Sequence, residues 1–490
     1  MTSDDTPRTG RRRAATGRST NARGSSRSNT SRSPATGAGT SAGTSSSSNN
    51  NSSSTSIGAH TRSGSALGLF AAFALFTLFA GDFWRNLIGW GGYLTLAALV
   101  TIGSVVWLIV LRPKPPARWL PFRKMPKTLA LFLVLATVSI AWSFYPGASA
   151  LGVAAQWCTT AAGVFLALCL TWKQLLRALG TALRWLIGLS LLFELIVAAF
   201  VRHPVLPFWV HYDQHTIPQA FYWSRGLLFH GGQLQGIQGN SNLLAMSTLL
   251  ALIVFSVQLA DRTVKRGWGL TWLIAAVVTF LLTRSSTVII AAILVALVLL
   301  LALWTRRRDP RKRAPVYATA FGVIVVGIAS AVVLWGPILK LLGKSEDLTG
   351  RLTIWKAVTD LALQRPVFGW GWISYWAPWV EPFKTLAIRK GVTYLQAHNA
   401  YLDVWMQLGI IGLIIFILLV GSTLGRSWFA AVDRPRTGPA DTARYTAITL
   451  LPLLLIAALI AQSAAESRML SEGGWALLVL LAVKTKADRP

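Results

Sequence analysis

The chain has 490 residues, 53% hydrophobic and only 13% charged, and 47 Lys and Arg stand against 17 Asp and Glu for a formal charge of +30. A mean hydropathy of +0.51 excludes an ordinary soluble globular protein and leaves room for many membrane spans. Such a charge on a soluble domain would suggest nucleic acid; here the connectors between apolar runs carry it, so no nucleic-acid partner is expected.

Residues 1–64 are Ser, Thr, Gly, Asn and Arg with almost no apolar content, which predicts a disordered, basic cytoplasmic tail. Its nine arginines are spread too widely for a cleaved signal peptide, and they suit contact with lipid headgroups. From residue 66, apolar runs of about 17–25 residues recur, the length that crosses hydrocarbon as a helix. Spans are predicted at 66–80, 87–111, 128–145, 148–170, 184–201, 243–260, 267–283, 285–304, 315–335, 403–421, 446–462 and 472–484. The expected fold is therefore an all-α polytopic membrane protein of about 12 transmembrane helices, with a large outer loop carrying short surface helices. Residues 65–335 hold helices 1–9 and an outer loop at 202–242; residues 336–402 form the large outer catalytic loop; residues 403–490 hold helices 10–12 and a short cytoplasmic tail. Cys158 and Cys169 both lie in an apolar run, which argues against a disulfide framework or a thiolate metal site.

Basic residues set the predicted orientation. With the tail inside, the tail and the inner connectors hold 34 of the 47 Lys and Arg, the bias expected of cytoplasmic segments. Both termini are then cytoplasmic and both long loops face outward. No GxxxxGK[ST] phosphate cradle occurs on the inner loops, and nucleotides are cytoplasmic, so no cofactor is expected. An outer-face enzyme needs a substrate already activated, such as a lipid-linked pyrophosphate.

In the loop 336–402, Thr349 is expected to cap a helix beginning at Gly350 or Arg351. Arg351, Trp355, Val358 and Ala362 share one face of it, and Thr353, Lys356, Asp360 and Gln364 another. Arg365-Pro366 should end that helix. Trp370, Trp372, Trp376 and Trp379 suit either stacking on sugar rings or an interfacial aromatic belt. His398 and Asn399 are placed about one turn into a helix, in which Gly409 and Gly412 admit a close neighbour.

These residues resemble those of the O-antigen ligase and O-antigen polymerase superfamily, which includes exopolysaccharide polymerase-like proteins. The matching residues are Gly350-Arg351 through Trp355, Arg365-Pro366-Val367-Phe368-Gly369-Trp370-Gly371, and His398-Asn399-Ala400-Tyr401-Leu402 with Gly409 and Gly412. Gly236 to Ala245, Thr283-Arg284-Ser285-Ser286 and Glu466-Ser467 fit as well. The resemblance implies transfer of a glycan from undecaprenyl pyrophosphate to a glycan or cell-surface acceptor, outside the bacterial plasma membrane, with no nucleotide and no obligatory metal.

Such a transfer needs fixed cations for the departing diphosphate and a base for the acceptor hydroxyl. Arg284 and Arg351 are the predicted diphosphate-binding residues, because guanidinium forks match phosphate oxygens and stay charged. The competing accounts are an interfacial snorkel for Arg284 and an ordinary exposed helix position for Arg351. His398 is the predicted catalytic base, against a histidine that anchors a helix at the headgroups. Asn399, Arg225, Asn240, Asn242, Glu466 and Glu194 are possible substrate-binding residues. Helix capping is the competing account of the asparagines, and Glu194 is singled out as an acid inside an apolar run. Arg468, beside Glu466, could complete the cavity wall. Of His203, His211, His215 and His230 only His211 and His215 stand at helical spacing, Pro218 argues against a long helix there and no HExxH occurs, so no metal site is predicted.

The alternative is a polytopic transporter or flippase for a lipid-linked or small-molecule substrate. That class favours ionisable or broken-helix sites at mid-membrane and internal repeats, whereas Glu194 is nearly alone in the apolar runs. Another polyprenyl-phosphate glycosyltransferase class shows paired acids in its first outer loop. Residues 81–86 hold Asp82 only.

Overall fold

The computed structural model describes residues 53–111, 122–210, 217–333, 350–389, 391–433 and 444–488. Residues 1–52 of the predicted tail, the connectors 112–121 and 434–443, residues 334–349 with the expected cap Thr349, and His211 and His215 lie outside the described residues.

The helices are α1 (Ser53–Phe79), α2 (Gly81–Val110), α3 (Lys127–Val138), α4 (Pro146–Cys169), α5 (Trp172–Ile196), α6 (Ser241–Ala260), α7 (Arg266–Thr283), α8 (Ser286–Arg307) and α9 (Ala314–Val333). They continue with α10 (Arg351–Gln364), α11 (Phe383–Leu386), α12 (Ala400–Val432), α13 (Leu451–Ser463) and α14 (Glu472–Ala487). Ile388–Arg389 and Val392–Thr393 pair as a small antiparallel hairpin, β1 and β2.

Each predicted apolar run falls on a helix, and the all-α membrane architecture holds. Among the described residues seven helices are long and apolar enough to cross a membrane: α2, α4, α5 with its extension to Val201, α6, α7, α8 and α12. The apolar parts of α1, α3, α9 and α13 are shorter. Two of these are interrupted by 3₁₀ turns, at Ser139–Trp142 after α3 and Ala447–Leu450 before α13. Residues 81–86, expected in a loop, instead open α2, which kinks at Gly89 with φ 71°.

Burial separates the centre of the bundle from its lipid-facing shell. Helix α14 is buried from Trp475 to Val483, and it meets α4 so closely that a Cβ on Gly163 would lie 2.8 Å from the Ala476 carbonyl oxygen. By contrast α2 exposes Leu94, Leu99, Ile102 and Ile109, and α8 exposes Ile293, Leu297 and Leu300. Apolar exposure along crossing-length helices suits hydrocarbon rather than water.

The turns predicted to be outward meet at one end of the bundle. Gln238 donates to the Phe79 carbonyl at the end of α1 at 2.9 Å, and the Ser285 hydroxyl between α7 and α8 donates to Asn242 in α6 at 2.7 Å. Helix α10 lies at the same end. It exposes Thr353, Lys356, Asp360 and Gln364 together, as its pattern predicts, and buries Ile354, Val358, Leu361 and Ala362, while Arg351 and Trp355 of the other predicted face are half-buried.

The segment after α10 is a folded cap with its own core. Trp376 stacks on Phe383, which meets Tyr145 edge-on. Trp372 and Trp376 are fully buried, and the Trp376 indole donates to the Asp403 carboxylate at 2.8 Å. Sugar stacking and the aromatic belt are therefore excluded for both. Their burial supplies core volume, and Trp379 alone of the four is fully on the surface, 71% exposed. The cap is fastened at Gly409, where α12 bends with φ 65°. Trp370 and Gly371 donate backbone bonds to Met406 and Gln407, and Ile410 donates to Pro366. A Cβ on Gly409 would sit 2.0 Å from the Val367 carbonyl oxygen, so this approach requires glycine.

Candidate functional site

Glu466 is the hub of a polar cluster at this end. It sits in the turn between α13 and α14 and is 6% exposed, so its charge needs partners. Its Oε1 accepts from Arg351 Nη2 at 2.9 Å, and its Oε2 accepts from His398 Nδ1 and from Gln396 Nε2, each at 2.9 Å. Gln396 is itself fixed, because its Oε1 accepts from the Ser467 backbone N–H at 3.0 Å.

Helix ends set the other side chains. Gly350 takes φ 89° immediately before α10, which places Arg351 at the first turn, where its Nη1 donates to the Thr287 hydroxyl on α8 at 3.3 Å. Asn399 is the N-cap of α12 and accepts from the N–H groups of Tyr401 and Leu402. His398 therefore precedes the helix, rather than lying a turn inside it, and adopts φ 51°. A left-handed conformation at a residue with a side chain costs on the order of 1–3 kcal/mol and persists where surrounding contacts impose it. Here the Glu466 bond and a T-shaped contact with the Tyr394 ring, centroids 5.5 Å apart, hold the imidazole.

Burial would push the Glu466 carboxyl upward, but His398, Arg351 and Arg468 outweigh it and hold the carboxyl down at about 2. An ionised carboxylate only accepts hydrogen bonds. The proton on the neutral imidazole therefore sits on Nδ1, and Nε2 carries the free lone pair.

A cavity of about 260 Å³ opens over this cluster, lined by Asn240, Asn242, Arg351, Gln396, His398, Glu466 and Arg468 together with Ala220, Leu243, Ile354 and Tyr394. Among the described residues it brings together an anchored imidazole, two guanidinium groups and several amides. That set can bind an anionic, hydroxyl-rich ligand and accept one proton.

The predicted site residues divide around this cavity. Arg351 and His398 converge on it, as do Asn240, Asn242 and Glu466. Asn240 is also the N-cap of α6, and Asn242 accepts from Ser285. Glu466 has both oxygens occupied by protein donors, so it organises the wall rather than presenting a free carboxylate. Asn399 spends its Oδ1 on capping and its Nδ2 on the Ala464 carbonyl at 3.3 Å, which ties His398 to the Glu466 turn.

Three residues stand elsewhere. Arg284 ends α7 with φ 49°, is exposed, and does not line the cavity. Arg225 bonds Gln235 at 3.2 Å and Gln219 at 3.3 Å. Glu194, singled out as an acid inside an apolar run, is buried and accepts from the Ser224 hydroxyl and from the backbone N–H groups of Gln235 and Gly236. It clamps the glycine turn that leads into α6. The sequence reading passed over Gln396 and Thr287. Position two residues before His398 was a usable signal for Gln396, whereas Thr287 had none.

Residues 271–417 match the family model described as O-Antigen ligase. The match runs from within α7 into α12 and includes Arg284, Thr287, Arg351, Gln396 and His398. Glu466, Arg468, Asn240 and Asn242 lie outside it. No curated protein matches the chain.

Proposed function

From an O-Antigen ligase segment set in a multi-pass helical protein, of the glycan-assembly type that the O-antigen ligase and polymerase superfamily represents, we propose an outer-face transferase that moves oligosaccharide from undecaprenyl pyrophosphate to a glycan acceptor. The observation that carries this reading is the single buried carboxylate that holds His398 and Arg351 on its two oxygens at the wall of one cavity. The polymerase form, with a second lipid-linked repeat as acceptor, is preferred to ligation onto another cell-surface molecule.

In the proposed reaction the acceptor hydroxyl oxygen forms a bond to the anomeric carbon of the donor. The bond from that carbon to the diphosphate oxygen breaks, and its electron pair stays on the diphosphate. The hydroxyl proton passes to His398 Nε2, while Glu466 stabilises the imidazolium through Nδ1. Arg351 neutralises charge that grows on the leaving group. Asn240 and Asn242 offer amide groups to sugar hydroxyls. Arg284, outside the cavity, takes no part in these steps. Orientation follows the basic residues: 34 of 47 fall on the side assigned to the cytoplasm, with twelve spans and both termini there.

Removal of the gene tests the proposal. Undecaprenyl-pyrophosphate-linked repeats should accumulate while long surface glycan disappears, and His398→Ala at normal abundance should behave the same way. Full-length polymer in the His398→Ala strain would remove His398 from the reaction.

A further inference from the structure

A ring of four charges lies beside the cavity, and the transfer steps above leave it unused. Asp82 and Glu472 alternate in it with Arg85 and Arg468. Arg85 donates directly to both acids, and the Tyr93 hydroxyl adds a bond to Glu472 at 2.9 Å. Gly81 lies against that carboxylate; a Cβ there would sit 2.9 Å from Glu472 Oε2.

Arg468 is held less firmly. Its Nη2 is 3.4 Å from Asp82 Oδ2, and its Nη1 is 3.6 Å from Glu472 Oε2, at or beyond the range of a good hydrogen bond. Its Nε is buried without a partner. A buried charged donor left unpaired calls for an explanation, and a bound ligand is one. Arg468 lines the large cavity beside Arg351 and His398, and it also lines a smaller one of about 60 Å³. Arg351, by comparison, is committed to Glu466 at 2.9 Å.

We infer that Arg468 is a reserve cation for the donor's diphosphate, held against Asp82 and Glu472 and turned onto phosphate oxygens when a diphosphate enters the cavity. The ring makes this exchange inexpensive. Arg85 keeps its direct bonds to both acids, so neither carboxylate is stranded when Arg468 turns. The contacts given up are long, and those gained are charge-assisted, with a fork that matches phosphate geometry. Asp82 and Glu472 are positioning residues, and Asp82 competes with the ligand for Arg468.

The inference rests on the transferase reading, and binding to the purified full chain in nanodiscs separates the two. The probes are undecaprenyl diphosphate, undecaprenyl monophosphate and inorganic pyrophosphate. Arg468→Gln should weaken undecaprenyl diphosphate binding by about tenfold or more, the scale of one charge-assisted contact. Arg468→Lys should recover part of that loss, and the preference for diphosphate over monophosphate should shrink. Asp82→Asn, which releases Arg468 while leaving Arg85 on Glu472, should tighten binding about threefold to tenfold. Unchanged or weaker binding in Asp82→Asn overturns the inference, even if Arg468→Gln does not fold. Weakening in Arg351→Gln alone, with Arg468→Gln at the wild-type value, also overturns it and leaves the transferase reading standing. No loss in either variant overturns both. Inorganic pyrophosphate bound as tightly as the lipid assigns the site to a free diphosphate and overturns the donor assignment.

Discussion

Nδ1 of His398 lies 2.9 Å from Oε2 of Glu466, joining two turns 68 residues apart in sequence. The pair fixes which imidazole nitrogen is free, so the same carboxylate that orients the ring also decides where a proton can be taken up.

Glu466→Gln should therefore lower kcat by roughly 10²–10³, within the range contributed by a positioned base, and raise KM far less. The amide keeps the shape but no longer stabilises an imidazolium. Steady-state turnover of a lipid-linked oligosaccharide by the purified protein reads this directly. A rise in KM with unchanged kcat would instead make Glu466 part of the sugar-binding wall.

Glu466 also links stability to pH. Its carboxyl is depressed to about 2 in the folded protein, against about 4.3 in an unfolded chain. A depressed acid stabilises the fold fully above the unfolded value, and that contribution is lost as pH falls from about 4.5 toward 2. Thermal unfolding of Glu466→Gln should thus show a shallower acid decline over this window than wild type. Parallel declines would mean that the ion pair does not stabilise the fold.

The kink in α12 is a third point of test. Gly409 has φ 65°, and a Cβ there would lie 2.0 Å from the Val367 carbonyl oxygen, so Gly409→Ala should destabilise by more than about 3 kcal/mol or fail to fold. Gly421, in the same helix, has nothing within 4 Å of its Cβ position. Gly421→Ala should be neutral or stabilise by up to about 1 kcal/mol. Equal thermal midpoints for the two variants would contradict the fastening of the cap to α12.

What was legible in the sequence follows the physics of each signal. Apolar runs located the helices because hydrocarbon demands length, and the exposed face of α10 was readable from spacing alone. Residues 81–86 misled because a short polar run between two apolar ones looks like a loop whether or not its backbone is helical. Glu194 and Glu466 were both conspicuous as acids in an apolar chain. Their roles depended on partners 30 to 115 residues away, and spacing does not report that. Trp372 and Trp376 show the same limit, since an indole reads alike on a surface and in a core.

The absence of a required metal is testable in the same assay. With His398 as base and guanidinium groups as the cations, turnover in excess chelator should stay within about twofold of the untreated rate, because no step needs a Lewis acid. Loss of activity that returns on adding a divalent ion would contradict an account built on Arg351 and His398.

The most direct test is glycan transfer by the purified protein in proteoliposomes, with labelled oligosaccharide on undecaprenyl pyrophosphate and comparison of wild type with His398→Ala. The account predicts longer glycan and released undecaprenyl pyrophosphate from wild type, with turnover lower by at least about 10² in the variant. Wild-type protein that carries the intact lipid-linked donor across the bilayer without lengthening any glycan would contradict it.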